Sequence, residues 1–161
     1  MKKLLKNQKG LTLVELLAVI VILGIIAAIA VPAIANIIDN SRKDAHVANA
    51  EALYDAARLA MIGEDISGEA YFYANGDDPD PDTDRDGIDL VDLDYLDTEL
   101  DDPSGGNSEG EYDDAYVHYD GDDYLIHIST NDNDYFEGQE ISFIRSTGRA
   151  GFGDDLIFET E

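Results

Sequence analysis

The sequence predicts an α+β protein in which one long N-terminal helix, hydrophobic first and amphipathic after, packs on a small antiparallel β-sheet. Three observations carry that expectation. Residues 16–38 hold no charged side chain. Val47, Ala50, Leu53, Tyr54, Ala57, Ala60 and Met61 then recur at helical spacing, with Asp44, Glu51, Asp55 and Arg58 on the other face. Beyond residue 114, alternating β-prone runs are separated by turn-like clusters.

The elements follow in order. MKKLLKNQKG carries Lys2, Lys3, Lys6 and Lys9 without an acid, and an apolar run interrupted only by Glu15 follows it. From Leu11 to Ile38 a helix extends roughly 42 Å at about 1.5 Å per residue, enough to cross a bilayer. The basic leader is expected on the cytoplasmic side and the remainder outside. An ordinary secretory signal, cut near Ala33-Ile34-Ala35, has a shorter apolar region of about 7–15 residues. A simple single-span anchor leaves Glu15 unexplained, because a carboxylate within a membrane segment is costly and functional by default.

The stretch KGLTLVELLAVIVILGIIAAIAVP (residues 9–32) resembles the class III signal of type IV pilins and related pseudopilins. That resemblance implies a pilin-like fold, with cleavage by a prepilin peptidase after Gly10 and N-methylation of the new terminal residue. Here that residue is Leu11, where phenylalanine or methionine is more usual. It also implies that Glu15, the family's acidic fifth mature residue, meets the α-amine of a neighbouring subunit, and that Pro32 is the helix-kinking proline. Gly24, among small residues, allows close helix approach. Proline lacks an amide donor and clashes one turn back, so Pro32 is expected to bend or locally melt the helix.

The resulting organisation is a leader over 1–10, a membrane or filament-core helix over 11–38, its amphipathic continuation over 39–63, and an acidic head over 64–161. Gly63 is the expected helix stop. Lone His46 reads as a solvated residue. Within the head, residues 64–114 read as a long loop with one short helix or turn near 90–100. The sheet is expected from strands 115–120, 123–130, 140–147 and 155–159. Tyr116, His118, Tyr124, Ile126, His127, Ile141, Phe143, Ile157 and Phe158 include its expected core side. His118 and His127 fall on neighbouring strands, where a cross-hairpin metal or proton site competes with plain structural roles.

In DDPDPDTDRDGIDLVDLD, Asp82, Asp84, Asp86 and Gly87 match the first half of a calcium loop. The closing glutamate is missing, so Ile88 would offer a carbonyl and Asp89 or Asp92 a carboxylate. Ca2+ is thus the one cofactor expected as an option, and none is required.

Charge narrows the function further. The chain holds 36 acidic against 10 basic residues, for a formal net charge of −26. Residues 64–161 carry 31 of those acids against Arg85, Arg145 and Arg149. Such a head repels phosphates, which excludes nucleic-acid binding. It suits an exported protein from a salty or alkaline habitat. With no cysteine there are no disulfides, thiolate zinc sites, cysteine nucleophiles or lipoprotein anchors. No constellation for nucleophilic, acid–base or phosphoryl chemistry is visible, so no enzyme is expected. The expected function is a subunit of a type IV pilus-like filament. Its partners are copies of itself and related pilins, a prepilin peptidase and a membrane assembly platform. The chain starts as a single-pass membrane protein and ends in an extracellular filament. The alternatives are a pseudopilin of a secretion or competence machine, and a membrane-anchored calcium-binding module that does not polymerise.

Overall fold

The computed structural model describes residues 12–75, 87–105, 110–153 and 157–158. The chain divides into two units, Met1–Asp39 and Asn40–Glu161, each taken by itself. Helix α1 (Leu13–Gly63) begins in the first and continues into the second.

In the second unit, five strands form one sheet in the order β2-β1-β3-β4-β5: β1 Ala70–Asn75, β2 Ile88–Asp89, β3 Asp114–Tyr119, β4 Tyr124–Ser129 and β5 Asp134–Glu140. Strands β1, β3, β4 and β5 pair antiparallel, whereas β2 joins β1 in parallel through Phe72–Ile88 and Tyr73–Asp89. The short helix α2 (Ile141–Thr147) and a 3-10 turn (Gly148–Gly151) follow.

Helix α1 buries His46, Ala50, Leu53, Ala56, Ala57 and Ala60. Four alanines on that stripe let the backbone approach the sheet, and Leu53 supplies the bulk. Val47, Tyr54 and Met61 border the same core, as the helical spacing predicts. The sheet answers with alternate residues: Phe72 and Ala74 from β1, Ala115 and Val117 from β3, Ile126 and Ile128 from β4, Tyr135 and Phe136 from β5. Leu90, Tyr112, Ile144, Phe152 and Phe158 close the ends.

Several expectations are corrected. The sheet is mixed, and it takes a central strand, β1, and an edge strand, β2, from the stretch read as loop. In β1, Tyr71-Phe72-Tyr73 is a β-favouring aromatic run whose acidic surroundings hide it. Residues 140–147 form α2, not a strand. Its buried residue is Ile144, one helical turn after Ile141, and Gly148 ends it at φ 55°. The fourth antiparallel strand is β5, which overlaps a stretch read as a turn. Gly138, at φ 70°, sits at a register shift against β4 and breaks the alternation that would have marked it. Of the expected strand 155–159, the described residues show one bridge, Phe152 to Phe158. On β3 the core phase is the reverse of the expected one: Ala115 and Val117 are buried, while Tyr116 and His118 face outward.

Candidate functional site

At the start of α1, Thr12 and Glu15 close on each other. The Thr12 amide and hydroxyl both donate to Glu15 Oε2 at 2.8 Å, and the Glu15 amide donates to Thr12 Oγ1 at 3.3 Å. This is a capping box, Thr-x-x-Glu, which satisfies two otherwise orphaned helix donors. Its spacing is legible in the sequence, although the only reading given to Glu15 there is a partner for an amine. Gly10 and Leu11 lie outside the described residues.

Past the cap, every large apolar side chain from Leu13 to Ile38 is exposed, from 46% at Ile38 to 81% at Leu13. The helix is long and apolar enough to cross a membrane. At Gly24, an added Cβ would meet nothing within 4 Å. The helix runs through Pro32 without interruption, so the expected local melting does not occur. One missing amide donor removes one rung from a ladder held on both sides by many others.

Of the expected calcium ligands, Asp82, Asp84 and Asp86 lie outside the described residues. Ile88 and Asp89 form β2. Asp89 Oδ1 accepts the amides of Val91 at 2.8 Å and of Asp92 at 3.0 Å, which starts the turn that buries Leu90. Asp92 is exposed.

His46 is not solvated. It is fully buried in phase with Ala50, Leu53, Ala57 and Ala60, a position its spacing from Ala50 already marks. Its Nδ1 lies 2.7 Å from the Tyr112 hydroxyl and its Nε2 lies 2.9 Å from Ser104 Oγ. The Tyr135 ring stacks on the imidazole at 4.0 Å. Asp102 is also buried, takes the Tyr135 hydroxyl at 2.9 Å, and stands 3.7 Å from His46 Nε2. Burial pushes the His46 imidazole down to about 4, against the pull of Asp102 and with the help of Arg42. Burial also raises the Tyr112 hydroxyl above its ordinary value. Asp102-Pro103-Ser104-Gly105 forms the turn that brings these groups to the helix, with the Ser104 amide donating to Asp102 Oδ1 at 2.7 Å.

His118 and His127 share the outer face of the sheet but do not oppose each other. The register sets His118 against Leu125, and His127 against Tyr116. His118 stacks on Tyr71 at 4.3 Å and bonds Glu69 at 3.1 Å. His127 stacks on Tyr116 at 4.5 Å, and burial lowers it to about 4. A depression of about 300 Å³ there is lined by Asp114, Tyr116, His127, Asp134 and Glu137 among others. Among the described residues, no three histidine, aspartate or glutamate side chains converge to hold a metal.

Compared with known families, residues 5–31 match the prokaryotic N-terminal methylation motif. No curated protein and no solved structure matches the chain.

Proposed function

We propose, from the type IV pilin-family signature carried by residues 5–31, that this chain is the structural subunit of a type IV pilus-like extracellular filament. It enters the membrane as a prepilin, is cut after Gly10 by a prepilin peptidase, and polymerises with copies of itself through α1 on a membrane assembly platform. The reading is structural, not enzymatic.

The observation that carries it is the unpartnered apolar length of α1 from Leu13 to Ile38 behind a carboxylate at its third residue. Burying one such leucine or isoleucine is worth about 1.5–3 kcal/mol, so this surface demands lipid first and a neighbour of like character afterwards. A plain anchor needs the apolar side chains but not Glu15. An assembling helix uses both, because a carboxylate in an apolar bundle fixes register by pairing with one cation. The close approach allowed at Gly24 serves the same packing.

N-terminal mass spectrometry of the protein from its native cells tests the proposal. A mature chain starting at Leu11, methylated or not, is the expected result. An intact Met1, or a start near residue 33, overturns it.

We further propose that the loop of Asp82, Asp84 and Asp86, with Ile88, Asp89 and Asp92 behind it, holds Ca2+. Alternate carboxylates followed by Gly87 support this reading. Millimolar calcium should then raise the unfolding temperature beyond the effect of sodium chloride at equal ionic strength, and Asp84→Ala should abolish the excess. Equal effects of the two salts reject it.

A further inference from the structure

Among the described residues, the hydrogen bonds around His46 fit one placement of protons. Asn49 Nδ2 is fixed as a donor by the Asp101 carbonyl at 2.9 Å, and it also donates to the Tyr112 hydroxyl at 3.0 Å. Were Tyr112 to accept from His46 as well, its own hydrogen would lose that acceptor within a residue 1% exposed. Tyr112 therefore donates to Nδ1, and Nε2 carries the ring proton, which goes to Ser104 Oγ. Beside it, Tyr135, stacked on the imidazole, donates to Asp102 Oδ2. The bonds run in one direction from Asn49 on α1 through Tyr112 and His46 to Ser104 on the loop.

We propose that this hydrogen-bond chain is a proton-sensitive latch: neutral His46 holds residues 101–105 and 110–112 on α1, and protonated His46 releases them. The added proton can go only to Nδ1, which faces Tyr112. Asp102 lies beside Nε2, on the far side of the ring, and cannot receive it. Tyr112 must then accept from both Asn49 and His46, and its own hydrogen loses its acceptor. The other groups facing the imidazole are Arg42 on α1, which opposes its charge, Asp102, which favours it, Tyr135 on β5 and the Phe152 ring.

The sign follows from linkage. The folded imidazole titrates near 4 and the ordinary one near 6.5. The stabilisation is therefore complete above the ordinary value and is lost as pH falls from there towards 4. Within that window the opening equilibrium of the segment grows up to about tenfold per pH unit.

Backbone amide exchange and imidazole 15N shifts of the full chain in detergent micelles test this. The Asp102, Gly105 and Tyr112 amides, bonded to Gly110, Asp102 and Leu100 carbonyls, report the segment, and the Val117 and Ile126 amides report the sheet. From pH 6.5 to 4.5 the opening constant of residues 101–105 and 110–112 should rise about fortyfold while the sheet stays closed. His46→Gln keeps an acceptor and a donor but does not titrate, so it should flatten that dependence, with His127 still present as an internal control. Nitrogen shifts showing a proton on Nδ1 at pH 7 overturn the proposal in the unaltered protein. Parallel loss of protection in segment and sheet, or an unchanged dependence in the variant, overturns it equally.

Discussion

Glu15 combines two roles that ordinary substitutions confound. In the single chain it closes the capping box with Thr12, and in the proposed filament it supplies a charge to a neighbour. Glu15→Gln separates them, since glutamine still closes a capping box but carries no charge. Thr12→Ala removes the cap, worth about 1 kcal/mol, and keeps the charge. Filaments should be lost with Glu15→Gln and retained with Thr12→Ala, as counted by electron microscopy of sheared preparations. The opposite pattern would make the helix cap, not the charge, the requirement. The capping box was legible in the sequence as Thr-x-x-Glu ahead of an apolar run. His46 was not, since polar neighbours in sequence disguised a position whose helical phase belongs to the core.

The seam between α1 and the sheet belongs to the scale of elements, and it is tight. Leu53 is fully buried at its centre, so Leu53→Ala should cost about 2–5 kcal/mol. Gly151 lies under the Phe158 ring, which a Cβ would strike, so Gly151→Ala should cost about 1–3 kcal/mol. Urea unfolding followed by tyrosine circular dichroism measures both. Equal stability of Gly151→Ala and the unaltered protein would show that Phe158 does not close this corner. The long helix was readable from its unbroken apolar run and the helical spacing that follows it, and β3 and β4 from their alternation, although on β3 the core phase was reversed. Strand β1 was missed for want of charge-free flanks. Helix α2 was misread because Ile141, Phe143 and Ile144 fit either period, and what decides between them is Ile144 meeting the core. Composition could not reveal the parallel β1–β2 pairing, which depends on a long return connection.

On the scale of the whole molecule, charge dominates. Among the described residues the basic side chains all lie on α1, α2 or the 3-10 turn; Arg145 reaches Glu51 and Asp55, and Arg149 reaches Asp44. These exposed pairs are each worth about 0–1 kcal/mol and leave most of the negative charge unopposed. Raising sodium chloride from 0.05 to 1 M (both about) shortens the screening length to roughly 3 Å, so the unfolding temperature should rise with salt. A fall would mean that the surface ion pairs outweigh the repulsion.

The aromatic corner has a consequence for the order of synthesis. The head's core runs from Ala50 to Phe158, and Phe152 and Phe158 complete it, with the Lys43 ammonium on the Phe152 and Gly153 carbonyls. A ribosome making this chain releases the helical half of that core about a hundred residues before its lid. Until then the corner where Phe136, Phe152 and Phe158 meet stays open. In the proposed membrane route the chain crosses before that corner closes, because Phe152 and Phe158 are the last of the described core residues to be made.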